Sequence, residues 1–371
     1  MIWSALYIGL LIILTLYFAF SGMVIMGWYR VLEKQPLSKN QNHLSYSIII
    51  PIRNEEKNIL KIIEDIKFQD YPKEYFELIV IDDFSEDNSW NLVSAETNEN
   101  LRLIKNSGKG KKSAIQTALN IAKNEYIIQT DADCRIAQNW LMSINRYINR
   151  YKPKLLLAPV IYKKGDSFFS YLQELDFYSL MMTTVGLTGV GSPILANAAN
   201  LIYPKEIIKN RDLLKLKLCS GDDIFLLHYV KKKYGSNQVH YLNSKEATVT
   251  TKSQTSIKSF FMQRIRWASK SRFYKDKQTI LVGLLVAIIN FLILGLVLGV
   301  FVSANNKHLL IVALVAKMLA DYALLFPILR FYKRIDLLIY FPFLSLLYPF
   351  YISFVGIFSQ FIGFEWKGRK Y

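Results

Sequence analysis

The sequence predicts an α/β domain set between membrane-spanning helices, and three observations carry that prediction. Charge is absent from Met1 to Tyr29, from Gln278 to Asn306 and from Leu337 to Phe364, and each run exceeds the ~20 residues that a helix needs to cross a bilayer core. Between the first two runs, short apolar segments alternate with stretches of helical periodicity. Carboxylates collect directly after the apolar segments, at the edge where an open parallel sheet binds its ligands.

Composition agrees with the membrane reading. Of 371 residues 52% are hydrophobic and 20% charged, whereas about a quarter of a soluble domain is charged. The Met1–Tyr29 run has no basic flank before it and no small-residue cleavage pattern, and it is too long for the apolar part of a signal peptide, so it reads as a retained anchor. Arg30, Lys34 and Lys39 follow it. Positive flanks stay in the cytoplasm, which places the amino terminus outside and residues 30 to about 277 inside. The net charge of +17 then suits an anionic leaflet, and no nucleic-acid recognition module is visible. Cys134 and Cys219 fit a reducing compartment without a disulfide.

Taken in order, residues 45–51 (SYSIIIP) form a first strand, and Ile59, Ile62, Ile63 and Ile66 recur at helical spacing. Residues 77–81 (ELIVI) form a second strand ending in Asp82-Asp83, and residues 101–104 a third. Ile115, Ala118, Leu119 and Ala122 line one helix face, and residues 126–130 (YIIQT) lead into Asp131-Ala132-Asp133. The turn after the first strand reads Ile52-Arg53-Asn54-Glu55-Glu56. It lacks the glycines that let backbone amides approach a pyrophosphate, which makes a dinucleotide-binding dehydrogenase a poor reading. Carboxylates without a Cys/His cluster favour a hard cation, Mg²⁺ or Mn²⁺, bridging a phosphate. In the carboxyl-terminal third, residues 278–306 cross outward and 309–329 return, with Lys317 and Asp321 one turn apart. Pro342 and Pro349 allow residues 337–364 to be a re-entrant pair in place of a fourth crossing.

Six blocks occur in the order found in membrane-bound family 2 glycosyltransferases: residues 47–56 (SIIIPIRNEE), 79–87 (IVIDDFSED), 111–115 (KKSAI), 130–133 (TDAD), 220–223 (SGDD) and 263–267 (QRIRW). Over residues 45–270 the chain resembles that family, which includes cellulose, hyaluronan and poly-N-acetylglucosamine synthases and ceramide glucosyltransferases. The resemblance implies a GT-A catalytic domain, Rossmann-like and nucleotide-sugar-binding, between transmembrane helices. It divides the chain into an anchor (1–29), a cytosolic transferase domain (30–255), a basic interfacial helix (256–277), membrane or re-entrant helices (278–364) and a basic tail (365–371).

Carried over residue by residue, the resemblance assigns Pro51, Glu55, Asp82, Asp83 and Lys112 to the nucleotide pocket, with Asp131 reaching ribose or sugar hydroxyls. By the same resemblance Asp133 is expected to hold Mg²⁺ or Mn²⁺, and Asp223 to be the catalytic base, with Asp222 beside it where relatives carry Glu. It likewise implies that Gln263 and Arg266 bind the diphosphate, that Trp267 lines the acceptor path and that Asn200 is an acceptor contact. Structural alternatives stand beside these roles: a solvated turn at Asp82-Asp83 with a helix N-cap at Ser85 or Asp87, a polar turn at Asp131–Asp133, and a helix N-terminal acid pair at Asp222-Asp223. The implied activity is inverting transfer from a nucleotide-sugar, UDP-linked, to a lipid or growing glycan at the inner (cell) membrane, with the catalytic domain cytoplasmic. A processive polysaccharide synthase is the second enzyme reading. A catalytically dead scaffold or transporter subunit would account for the helices but not for Asp131, Asp133 and Asp223 together.

Overall fold

The computed structural model describes residues 2–34, 42–97, 99–208, 222–303, 306–361, 365–366 and 369–370. In chain order it begins with helix α1 (Ile2–Glu33), β1 (Tyr46–Ile52), α2 (Ile59–Lys67), β2 (Phe76–Asp82), α3 (Ser89–Ser94), β3 (Leu101–Lys105), α4 (Lys111–Ile121) and β4 (Tyr126–Gln129). There follow α5 (Trp140–Tyr151), β5 (Leu155–Leu157), β6 (Val160–Tyr162), α6 (Phe168–Gly189), β7 (Leu201–Pro204), α7 (Asp222–Tyr234), β8 (Val239–Tyr241) and β9 (Val249–Thr251). Then come α8 (Ile257–Ala268), α9 (Lys277–Gly299), α10 (Asn306–Phe331) and α11 (Phe341–Phe361), followed by two short antiparallel strands, β10 (Glu365–Trp366) and β11 (Arg369–Lys370). Two compact units result, one of Arg30–Lys163 with Gly191–Lys252 and one of Met1–Tyr29, Lys164–Val190 and Ser253–Tyr371.

The first unit is built on a seven-stranded sheet of order β3-β2-β1-β4-β7-β5-β8. β1 pairs in parallel with β2 and β4, β2 pairs in parallel with β3, and β7 runs antiparallel to both β4 and β5. The central strands carry apolar side chains on both faces, as buried parallel strands must: β2 is buried throughout, and in β1 only Pro51 is half-exposed. Helix α2 buries all four of its predicted isoleucines, each contributing roughly 1.5–3 kcal/mol of hydrophobic stabilisation. Strand order reverses between β1 and β4, so the chain leaves them in opposite directions and opens a crevice at their carboxyl ends. A second, two-stranded parallel sheet joins β6 to β9.

The other unit is helical. α9, α10 and α11 pack on one another, α6 on α10 and α8 on α11. Four spans are long and apolar enough to cross a membrane: residues 7–33, 277–299, 306–331 and 335–361. The re-entrant alternative for the last span is corrected by one continuous helix, α11, with Pro349 inside it. Pro342 sits in its first turn, where no amide partner is lost, and Pro349 removes a single intrahelical bond without ending the helix. Buried Lys317 pairs with half-buried Asp321 at 2.5 Å, and the Tyr17 hydroxyl of α1 donates to Asp321 at 2.6 Å. α1 and α6 meet backbone to backbone: a Cβ on Gly186 would lie 2.3 Å from the Val24 carbonyl oxygen, and one on Gly189 2.0 Å from that of Gly27. Only glycine permits that approach.

Candidate active site

The loops after β1 and β2 are laced together. Arg53, buried, donates through Nη1 to the carbonyls of Asp83 (3.0 Å) and Phe84 (2.8 Å) and through Nη2 to Glu86 (2.9 Å). The Glu55 amide donates to Ser89 Oγ at 2.7 Å and the Glu56 amide to Asp87 Oδ2 at 3.1 Å. Glu55 is buried, and its Oε2 accepts from Asn58 Nδ2 at 2.9 Å. Asn54 and Phe84 hold φ of 55° and 58°, a left-handed backbone that non-glycine residues adopt at a cost of order 1–3 kcal/mol and that concentrates at functional loops.

The solvated-turn alternative for Asp82-Asp83 does not hold, because both side chains are buried. Asp82 accepts from the Ser85 amide at 3.2 Å. Asp83 Oδ1 accepts from Asn106 Nδ2 (2.7 Å) and from the Gly110 amide (2.9 Å), tying the end of β2 to the start of α4. The N-cap of α3 is Asn88 rather than Ser85 or Asp87. Asp87 stands one residue earlier and accepts from the Ser89 amide at 2.9 Å.

Across the crevice, β4 delivers Asp131 and Asp133. Lys111 Nζ at the start of α4 contacts Asp131 Oδ1 at 2.5 Å, while the predicted Lys112 follows it, half-buried. Lys111 is a partner that sequence reasoning missed, and its only signal was a second lysine beside the expected one. Asp133 Oδ2 accepts from the Thr251 hydroxyl of β9 at 3.1 Å. Arg135 and Thr250 exchange backbone bonds at 2.7 and 2.9 Å, which seats β9 beside this loop. Cys134 is fully buried, and burial, reinforced by the two flanking carboxylates, pushes its thiol well above its usual range. A thiol held protonated there is a packed side chain, not a nucleophile.

Asp222 and Asp223 open α7; Ser220 and Gly221 of the same block, with Cys219, lie outside the described residues. Asp223 is half-buried and accepts from the Ile224 amide at 2.8 Å. Asn200 has its amide engaged in the framework: it accepts from Trp140 Nε1 (3.2 Å) and donates to the carbonyls of Pro159 and Ala247 (2.8 Å each). In the helical unit, Gln263, Arg266 and Trp267 are half-buried on α8. Arg264 lies over the Trp267 ring at 4.4 Å and pairs with Asp176 of α6 at 2.6 Å.

Residues 47–233 match the family described as glycosyl transferase family 2. This chain belongs to that family. Among relatives of this family 2 glycosyltransferase, the poly(ribitol-phosphate) beta-N-acetylglucosaminyltransferase TarS of Staphylococcus aureus is 27% identical over 215 residues, 56% of this chain but 36% of TarS. The chain thus spans about a third of that relative's length. A Methanococcus voltae enzyme, named a dolichyl N-acetyl-alpha-D-glucosaminyl phosphate 3-beta-D-2,3-diacetamido-2,3-dideoxy-beta-D-glucuronosyltransferase, is 23% identical over 275 residues, covering 70% of this chain and 84% of its own. The fold is also that of the mannosyltransferase PcManGT from Pyrobaculum calidifontis, solved with GDP-Man and Mn²⁺, at a TM-score of 0.59 and 18% identity over 91% of this chain and 99% of that one. The mixed sheet with its parallel centre accordingly has the GT-A arrangement, and apolar helices precede and follow it along the chain.

Among the described residues of the family 2 domain, no three His, Cys, Asp or Glu side chains gather at metal-ligand spacing. A divalent cation here would have one or two carboxylates from the protein and would complete its shell from water and a substrate diphosphate. That donor set fits Mg²⁺ or Mn²⁺ better than Zn²⁺.

Proposed function

We propose that this chain is an inverting glycosyltransferase that moves a sugar from a nucleotide donor, UDP-linked, to a hydroxyl of a membrane-associated lipid or glycan. The observation that supports it most is the convergence of Glu55, Asp83, Lys111, Asp131 and Asp133 on the crevice where strand order reverses. In this reading Pro51, Glu55, Asp82, Asp83 and Lys112 hold the nucleotide, and Asp131 turns from Lys111 to sugar or ribose hydroxyls. Asp133 binds the cation, which when present neutralises charge on the departing diphosphate. Asp223, with Asp222 as its neighbour, takes the proton of the acceptor hydroxyl as that oxygen attacks the anomeric carbon, and a single displacement inverts the centre. Gln263 and Arg266 of α8 contribute to diphosphate binding and Trp267 to acceptor placement. The family and the four apolar spans support a membrane transferase, and Arg30, Lys34 and Lys39 favour a cytoplasmic domain.

Purified protein incubated with a panel of UDP-sugars and total membrane lipid tests the reading, with product identified by mass. A lipid or glycan heavier by one sugar is the expected result. No sugar-dependent product from any donor would refute it.

A further inference from the structure

Beside Asp133 lies a cleft whose other walls come from α2, β6 and β9, all within the sheet unit. Among the described residues that line it Asp133 is the one acid, whereas Lys61, Lys163 and Lys252 are all present. Arg135 lines it too, but its charge is matched by Asp65, which accepts both Nε and Nη2 at 2.6 Å. None of Pro51, Glu55, Asp83, Lys112 or Asp131 reaches this cleft.

Two of the lysines stand in an electrostatically unfavourable position. Tyr162 of β6 is the register partner of Thr251 of β9, so Lys163 and Lys252 follow as the next facing pair on adjacent strands. The Lys163 amide donates to the Thr251 carbonyl at 2.7 Å, which keeps the two strand ends together. Like charges directly opposite across strands are destabilising. Lys252 is further anchored, its Nζ donating to Asn58 Oδ1 at 2.9 Å at the head of α2, the helix that carries Lys61. An anion seated among the three ammonium groups would remove the repulsion, and a cleft of one sign concentrates such an anion. Lysine suits this task, being a point charge that binds phosphate from several directions.

We propose that the acceptor carries a phosphate group and that Lys61, Lys163 and Lys252 hold it beside Asp133, in a cleft that the nucleotide residues do not line. The inference rests on the transferase reading above and narrows its acceptor to a phosphate-bearing molecule, excluding a neutral glycolipid. The phosphate belongs either to a lipid carrier or to a phosphodiester polymer.

The test uses the full chain in neutral detergent micelles. Binding of undecaprenyl phosphate is compared with that of undecaprenol, which lacks only the phosphate, and soluble poly(ribitol phosphate) forms a second arm. We expect the phosphate form of at least one probe to bind about tenfold more tightly than its uncharged counterpart or than polyribitol. That preference should weaken at high salt. The combined variant Lys61→Gln, Lys163→Gln, Lys252→Gln should abolish it, while arginine at the same three positions keeps it. Dependence in the lipid arm assigns the phosphate to a carrier, and dependence in the polymer arm to a polymer. UDP binding with Mn²⁺ should stay within about twofold in the glutamine variant. A fall in UDP affinity would show that the lysines serve the donor and would overturn the proposal, as would equal binding of charged and uncharged probes in both arms. Wild-type protein that binds UDP but neither phosphate probe refutes this site alone, whereas one that binds a phosphate probe but no UDP refutes the transferase reading and leaves the site standing.

Discussion

Lys111 Nζ lies 2.5 Å from Asp131 Oδ1, joining the first turn of α4 to the loop after β4. Both groups are partly exposed, so the pair alone contributes little stability. Its consequence is positional. It presents one cation and one carboxylate to the crevice, and both can exchange their mutual contact for groups of an incoming nucleotide-sugar. Lys111→Ala should weaken UDP binding by about tenfold, the effect of one lost charge-assisted contact, and Lys111→Arg should retain part of it. Calorimetry with UDP and Mn²⁺ measures this, and unchanged affinity in Lys111→Ala would remove the residue from the site.

Asp83 is structural as well as functional in this reading. Replacing it with alanine leaves the Gly110 amide buried without its acceptor and Asn106 Nδ2 with only its longer bond to the Gly110 carbonyl (3.3 Å), a loss of roughly 1–3 kcal/mol for the unsatisfied amide alone. Thermal unfolding of Asp83→Ala should therefore occur well below wild type even without nucleotide. Equal melting temperatures would mean that the loop rearranges freely.

The contact between α1 and α6 sets a third expectation. Gly186→Leu places side-chain atoms where the Val24 carbonyl now sits, and overpacking of this kind costs roughly 1–3 kcal/mol or more. The variant should lose its sharp profile in size-exclusion chromatography in detergent. Gly9→Leu, where a Cβ meets nothing within 4 Å, should keep it.

Cys134 gives a chemical probe. With its thiol buried and kept protonated by burial and by Asp133 and Asp131, it should resist iodoacetamide at neutral pH in a Cys219→Ser background until the protein is unfolded. Rapid labelling of the native chain would show that the loop after β4 opens.

What could be read from the residues depended on whether the signal was local. The isoleucines of α2 and the apolar runs of β1, β2 and β4 have a period, and all became buried elements in the expected places. The lacing of Arg53 to the carbonyls of Asp83 and Phe84 has none, since it joins side chain to backbone across some thirty positions. That Lys111 contacts Asp131 depends on helix phase at one residue, which composition does not encode. α6 hid its acids for the same reason: Glu174 and Asp176 are buried against Arg334 and Arg264, partners far along the chain. Pro349 looked like a break because a lone helix would break there, but α11 is not alone.

The division of labour between Asp133 and Asp223 is the centre of the account, and UDP calorimetry with Mn²⁺, run beside a transfer assay on Asp133→Asn and Asp223→Asn, tests it most directly. Asp223→Asn should bind UDP like wild type while transfer falls by about 100-fold or more, because asparagine keeps the shape but cannot accept a proton. Asp133→Asn should lose the Mn²⁺-dependent part of UDP binding itself. Loss of UDP binding in Asp223→Asn, or full Mn²⁺-dependent binding in Asp133→Asn, would contradict the assignment.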